Sequence, residues 1–366
     1  MVDIAIFLMD LEGGGAERVM LNLAQGFVDQ GLTIDLVLVK FKGSYQNQLP
    51  KKVRVVELGA PRLIASFPKL IQYLRKEKPS VLMSALEDTN FVAIWAKKFS
   101  GVNTRIVVTV HNHLSLFSKN ATQLKRRLAP QLARMFYPWS ENVVAVSQGV
   151  ADDLVAMGLP PRKVTVIYNP IVAPDLYQKS QQAVDHPWLL PGQPPVILGV
   201  GRLTKQKDFS TLIRAFAQVR QKRPVRLLIL GEGEEQVNLV TLARELGIEK
   251  DVSFPGFIEN PYAYMSKVAV LALSSAWEGF GNVLVEAMAV GTPVVSTDCQ
   301  SGPAEILENG RYGQLAPVGE SEALAKSISI ALEQASESFT SAFQVRANEF
   351  TIEIAAKRYL KLILPL

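Results

Sequence analysis

The chain has 366 residues, a length that suits two or three domains. Hydrophobic residues make up 48% and charged residues 20%, which excludes a generally disordered chain. The net charge of +5 is uneven: residues 1–180 carry 22 Lys+Arg against 14 Asp+Glu, so an anionic partner is expected on the N-terminal half.

The single cysteine, Cys299, excludes an intramolecular disulfide framework, and three histidines argue against a histidine-built metal centre. No apolar run approaches the ~20 residues of a membrane-spanning helix. The opening MVDIAIFLMD lacks a basic start and reads as a strand rather than a secretory leader. A reducing cytoplasm is the expected compartment.

Residues 3–9 form the first strand, Ala16–Asp29 is helical by pattern, and Thr33–Val39 is the next strand. Gly13, Gly14 and Gly15 fall at the first turn of this βαβ unit, where such folds bind ligands. In G-x-G-x-x-G register from Gly13 the third glycine is replaced by Arg18, so the turn is no dinucleotide fingerprint. It reads either as a simple turn or as a loop that lets another molecule approach the backbone. A strand at Val81–Ser84, a helix at Phe91–Phe99 and a strand at Arg105–Val110 follow. The last runs into His111-Asn112-His113, on the rim where open α/β sheets hold ligands; a rim histidine can also serve only as a hydrogen-bonding group.

In residues 114–139, Leu124, Leu128, Leu132, Met135 and Phe136 share one helical face, while Lys119, Lys125, Arg126, Arg127 and Arg134 lie mostly elsewhere. Pro130 predicts two helical pieces. The stretch fits contact with anionic lipid, or a core-facing helix with a solvated basic back. It contains no recognisable nucleic-acid module. Asn142–Ser147 is a strand, Ser147 or Gln148 caps a helix at 149–157, and Val164–Tyr168 is the last strand of this half. Asp152-Asp153 suits a helix dipole better than a metal. Residues 160–195 hold eight of the 21 prolines and read as a linker.

The pattern then restarts. Val196–Val200 is a strand, followed by GRLTKQKD at 201–208 and a helix at 209–220. Arg202, Lys205 and Lys207 put cations at a strand end and near a helix start, where they can neutralise a diphosphate or simply be solvated. Val225–Leu230 is a strand, GEGEE a loop and acidic helix start, and Val252–Pro255 a strand turning at Gly256-Phe257-Ile258. Val268–Ser274 is a buried strand, and Gly279 and Gly281 permit a sharp turn around Phe280. A helix over Asn282–Val290 follows, with Gly291 as its C-cap. Glu278 and Glu286 are eight residues apart, ~12 Å at ~1.5 Å per helical residue, although part of the spacing is loop. That separation suits the two ends of a nucleotide-linked substrate, with the helix N–H groups between them for phosphate. Two solvated glutamates on an ordinary crossover would look the same. Pro293–Thr297, SGPAEIL at 301–307, a short strand at 313–317 and an amphipathic helix at Thr351–Leu362 complete the chain.

GGGAERV at 13–19, TVHN at 109–112, GRLTKQKD at 201–208, FPGFIEN at 254–260, EGFGNVLVE at 278–286 and SGPAEIL at 301–307 occur in this order. Together they resemble the retaining, nucleotide-sugar-dependent glycosyltransferases with the acid–seven-residue–acid motif, over essentially the whole chain. The resemblance implies an α/β GT-B fold, with two doubly wound Rossmann-like domains facing across a cleft that closes on donor binding. It implies an acceptor domain at 1–175, a nucleotide-sugar domain at 190–348, and a terminal helix at 351–364 that crosses back onto the first.

By the same resemblance, Glu278 contacts the donor sugar and Glu286 the ribose. Arg202 and Lys207 hold the diphosphate, helped by Gly281 and Asn282 in the turn that carries Phe280. Ile258 meets the nucleobase, Gly14 and Gly15 reach the sugar and phosphate, and His111, more than His113, faces the reaction centre. No metal or other cofactor is implied beyond the nucleotide-sugar co-substrate. The subgroup resembled extends polyprenyl-diphosphate-linked glycans with UDP-linked N-acetylhexosamines, which implies peripheral association with the cytoplasmic face of a membrane through 114–139. A sugar-nucleotide epimerase of the same fold would convert donor without acceptor. A dinucleotide oxidoreductase would bind NAD(P), and a non-catalytic binder would never turn donor over.

Overall fold

The computed structural model describes residues 2–12, 14–121, 123–333 and 337–363. Gly13 of the glycine triplet and residue 364 of the expected terminal helix lie outside the described residues. The chain divides into two units, Met1–Ile171 with Thr351–Leu366, and Val172–Phe350.

The first unit is a seven-stranded sheet of β1 (Ile4–Leu8), β2 (Ile34–Leu38), β3 (Arg54–Glu57), β4 (Val81–Ala85), β5 (Arg105–Val110), β6 (Asn142–Ala145) and β7 (Val164–Val166), in the order 3-2-1-4-5-6-7. The second is a six-stranded sheet of β8 (Val196–Val200), β9 (Arg226–Leu230), β10 (Val252–Gly256), β11 (Val270–Leu273), β12 (Val294–Thr297) and β13 (Gln314–Ala316), in the order 10-9-8-11-12-13. The described pairings are parallel in both sheets. Strands β1, β2 and β4 are buried along their whole length, the burial expected when helices cover both faces of a parallel sheet. In each sheet the strand order reverses beside the first strand, between β1 and β4 and between β8 and β11. These are the switch points at which doubly wound folds open a crevice for ligands.

In the first unit the terminal helix Ile352–Ile363 packs on the helix Gly15–Asp29. Gly26 makes the close approach possible, since a Cβ there would lie 2.8 Å from Ile352 Cγ2 and 2.9 Å from Ala356 Cβ. Phe27 and Tyr359 meet edge to face with centroids 6.3 Å apart.

Two expectations change. Residues 160–195 are no open connector: β7 lies within them, and the helix Leu176–Ser180 is tied into the second unit. There Ser266 Oγ donates to the Ser180 carbonyl (2.8 Å) and Asn260 Nδ2 to that of Lys179 (2.9 Å). The division between the two units falls within this stretch, after Ile171, among small packed elements and not in an open linker. Among the described residues the basic stretch ends in a 3-10 turn at Tyr137–Trp139 and holds three α-helical pieces rather than two, Leu114–Lys119, Leu124–Arg127 and Ala129–Phe136. Pro130 opens the last of these, where its missing N–H costs no helical bond. Its apolar face is not core: Leu124 is 71% and Met135 54% exposed, with Leu128 and Trp139 exposed beside them.

Candidate active site

The second unit brings most of the expected residues together at its switch point. The loop after β8 carries Arg202 and Lys207, and the loop after β11 carries Glu278, Phe280, Gly281 and Asn282. Hydrogen bonds join the two loops. Ser274 Oγ donates to the Lys207 carbonyl (2.8 Å), Ala276 N–H to the Gln206 carbonyl (2.8 Å), and Gln206 Nε2 to the Trp277 carbonyl (3.0 Å). Lys207 Nζ lies 2.5 Å from Glu278 Oε1, and Ser275 Oγ donates to the same oxygen at 2.6 Å. Glu278 is buried, so this pairing offsets the cost of holding its charge away from water. Arg202 is exposed and has no ion pair among the described residues, which leaves its guanidinium available to an incoming anion.

Backbone contacts fix the loop bearing Arg202. A Cβ on Gly231 would lie 2.0 Å from the Gly201 carbonyl oxygen, and one on Gly233 2.3 Å from that of Leu203. The GEG run after β9 read only as a loop in the sequence, yet it packs directly under the cationic loop. Lys207 is followed by Asp208, a non-glycine residue at φ +42°, whose carboxylate accepts from Thr211 Oγ1 (2.6 Å) and caps the helix Phe209–Lys222.

The glycine turn ends at Gly281, φ +100°, which caps the helix Asn282–Ala289 without a side chain. The amide end of this helix is a locus of positive partial charge on the same loop as Glu278, which Lys207 touches. Phe280 is buried against Phe350, centroids 5.5 Å apart. Gly302, φ +96°, lies so close that a Cβ would fall 1.8 Å from the Phe280 carbonyl oxygen. Arg346 braces the element beyond, donating from Nε to the Ile306 carbonyl (2.9 Å) and from Nη2 to that of Glu305 (2.6 Å). Of these groups, Phe280 and the 301–307 run were named from the sequence, whereas Arg346 was not. Glu286 is buried in the helix with Tyr262 Oη donating to its Oε1 at 3.3 Å. Ile258 follows β10, two strands from β8, and is half-buried. The lone cysteine, Cys299, is buried, and that burial, with the nearby charge of Glu278, holds its thiol far above the range of a reactive thiolate.

The first unit carries the other expected residues on its own rim. Gly14 caps the helix that Gly15 begins, after β1. His111 follows β5, next to β4. Thr109 Oγ1 lies 2.9 Å from His111 Nε2 and 2.9 Å from the Ser84 carbonyl. With the Thr109 proton on that carbonyl, His111 donates from Nε2–H in the matching tautomer, and its Nδ1 is an acceptor with no partner among the described residues. Burial lowers the His111 pKa to about 4, and the ring is therefore neutral at physiological pH. His113 is differently placed: its Nδ1 lies 3.2 Å from Asp153 Oδ2. Burial opposes ionisation of Asp153, but His113 and the Ser115 amide outweigh it and its pKa falls. His113 is thus paired with Asp153, whereas His111 has no charged partner among the described residues.

The family described as Glycosyltransferase Family 4 matches residues 13–173, and Glycosyl transferases group 1 matches residues 180–344. The chain is 31% identical, over 100% of both chains, to a Campylobacter jejuni enzyme, N-acetylgalactosamine-N,N'-diacetylbacillosaminyl-diphospho-undecaprenol 4-alpha-N-acetylgalactosaminyltransferase. It is 26% identical, over 99% of this chain and 98% of the other, to a second enzyme of that organism, a GalNAc-alpha-(1->4)-GalNAc-alpha-(1->3)-diNAcBac-PP-undecaprenol alpha-1,4-N-acetyl-D-galactosaminyltransferase. The crystal structure of Anabaena HepE in complex with UDP superposes with a TM-score of 0.76 at 25% identity, over 98% of this chain and 99% of that one. With the matches covering both units and the two doubly wound sheets in place, the chain belongs to the family of GT-B glycosyltransferases that join a family 4 domain to a group 1 domain.

Proposed function

We propose that the chain transfers an N-acetylhexosamine or hexose from a UDP-sugar to a polyprenyl-diphosphate-linked glycan, with retention of anomeric configuration, during assembly of a cell-surface polysaccharide or glycoconjugate. The observation that carries this reading is the joined pair of loops at the second switch point, which sets Lys207 beside Glu278 and leaves Arg202 exposed and without an ion pair among the described residues. The UDP complex of HepE supports the nucleotide, and the substrates named for the two Campylobacter relatives support the acceptor class.

Cleavage of the sugar–phosphate bond sends its electron pair to the diphosphate and leaves positive charge at the anomeric carbon. Arg202, Lys207 and the first amides of Asn282–Ala289 stabilise the leaving group without a bound metal. The acceptor hydroxyl attacks from the face the diphosphate leaves, and its proton passes to the departing phosphate oxygen. This route needs no carboxylate nucleophile, in contrast to a retaining glycosidase. Glu278 orients the donor sugar, Glu286 takes the ribose hydroxyls, and the turn at Ile258 meets the base. Phe280 shapes the turn whose Gly281 and Asn282 amides meet phosphate. Gly14, Gly15 and His111 are the contacts proposed for the first unit, where His111 accepts a hydrogen bond and does not act as a strong base.

A thermal-shift panel of UDP, GDP, ADP and their sugar conjugates tests the donor. UDP and one UDP-sugar are expected to raise the melting temperature, by mass action about 2.7 kcal/mol at a hundredfold excess over Kd. Stabilisation by GDP alone would discard the UDP assignment, and release of UDP with no glycan product would discard the transfer assignment.

The exposed face of 114–139 is proposed to rest on anionic lipid at the cytoplasmic side of a membrane. Leu124, Met135 and Trp139 supply apolar surface, and Lys98, 5.7 Å from the Trp139 ring centroid, and Arg126, 5.6 Å from that of Phe117, supply charge. No helix among the described residues is long and apolar enough to cross a membrane. The protein is expected to float with anionic vesicles and not with neutral ones, and Leu124→Glu with Met135→Glu to abolish flotation at unchanged melting temperature. Wild-type protein that stays at the bottom with both vesicle types would remove the membrane from this reading.

A further inference from the structure

On the first unit's rim, β4 ends in a residue that its backbone does not favour. Leu86 has φ +72° and ψ 149°, a region populated almost only by glycine. Strain of this kind costs about 1–3 kcal/mol and persists where surrounding structure holds it. The next residue, Glu87, starts the helix Glu87–Ser100, so the strained turn sets where its carboxylate emerges. Pairing of Ala85 with Thr109 puts this turn beside the end of β5, where Asn112 Nδ2 donates to Glu87 Oε1 at 3.2 Å. His111, with its acceptor Nδ1, is the residue before Asn112.

Glu87 is also a poorly compensated charge. Burial raises its pKa, and this outweighs its own backbone amide and Asn112, which favour the ionised form; Asp88 adds to the rise and the charge of Arg126 opposes it. Tyr137, whose hydroxyl is buried nearby, is held in its protonated form. No cation among the described residues forms an ion pair with Glu87. A strained leucine and an under-compensated carboxylate therefore meet at one point of a sheet rim. Both lower stability.

We propose that Glu87 and Asn112 form a subsite for the terminal sugar of the acceptor glycan, with the Glu87 carboxylate accepting from a sugar hydroxyl and the Asn112 amide holding the carboxylate in place. The proposal rests on the glycan-acceptor reading above. A sugar hydroxyl supplies Glu87 with a further donor beside Asn112 Nδ2 and its own backbone amide, and a carboxylate beside a carboxamide can take both a hydroxyl proton and a hydroxyl oxygen. The subsite selects the acceptor and leaves the leaving group to other residues.

The test compares wild type, Glu87→Gln and Asn112→Ala in the full chain. Saturation-transfer NMR with methyl α-N-acetylgalactosaminide reads binding without turnover, and transfer to a short-chain polyprenyl-diphosphate-linked N-acetylgalactosamine gives the acceptor KM. Glu87→Gln is expected to weaken the glycoside signal and raise acceptor KM at least about tenfold, with a melting temperature equal to or above wild type and UDP affinity retained. Equal glycoside binding by wild type and Glu87→Gln would overturn the subsite, and so would a lower melting temperature with UDP affinity lost in step, which marks a structural role. Wild-type protein that binds the glycoside yet forms no product defeats the transfer reading and not the subsite.

Discussion

Arg202→Ala is expected to lower transfer about 10²–10³-fold at saturating donor, the usual cost of deleting one preorganised donor to a developing anion. Its melting temperature is expected to stay within about 2 °C of wild type, because exposed substitutions usually change stability by less than about 0.5 kcal/mol. The two expectations share one cause. Arg202 is exposed and has no ion pair among the described residues, so its removal breaks none of theirs. Its neighbours are held without it: Gly201 N–H donates to the Leu230 carbonyl (3.0 Å) and Leu203 N–H to that of Glu232 (2.8 Å). The loop should keep its shape around an alanine. What is lost is a charge presented to the departing diphosphate, which a planar guanidinium meets with two parallel bonds. Arg202→Lys restores the charge without the fork and is expected to recover only part of the rate. Wild-type turnover in Arg202→Ala, measured at saturating donor, would remove Arg202 from the site.

The sequence carried the architecture because parallel strands buried on both faces are near-continuous apolar runs. Arg105–Val110 has the same bounds in the sequence reading and in the fold, and β8 begins and ends where VILGV does. The chemistry of the second unit was legible for a related reason. Its groups lie on two short runs, 201–208 and 278–286, each at a strand end, so local order in the chain coincides with proximity in space. Groups joined only by folding were not legible. Gly231, Gly302 and Arg346 act through backbone carbonyls far along the chain, and nothing in their local sequence announces those partners. The stretch 114–139 shows the limit of periodicity. A helical stripe of leucine and methionine states that one face is apolar, not what covers it, and here Leu124 and Met135 lie exposed. Leu86 went unnoticed because positive φ at a leucine has no signature in composition or spacing.

Lys207→Ala is expected to do what Arg202→Ala does not, which is to lower stability and activity together. Lys207 Nζ sits 2.5 Å from Glu278 Oε1, and the two side chains are 18% and 8% exposed. Removing the cation leaves a buried carboxylate with the Ser275 hydroxyl, at 2.6 Å, as its one side-chain donor among the described residues. Breaking such a pair costs about 3 kcal/mol at the lower end of the usual range, roughly 6–12 °C for a unit of this size. The loss should come mainly from the orphaned charge and not from the missing contact. Lys207→Met combined with Glu278→Gln removes both charges at similar volume, and its melting temperature is expected to return to within about 3 °C of wild type. Its transfer activity is expected to stay at the level of the single variant, because the recovered stability restores neither the cation for the leaving group nor the carboxylate for the donor sugar. Activity must be read well below the lowest melting temperature so that unfolding does not mimic the catalytic loss. A Lys207→Ala protein that melts with wild type would show that the pair is not holding the two loops together. A double variant that regains transfer would show that neither group takes part in it.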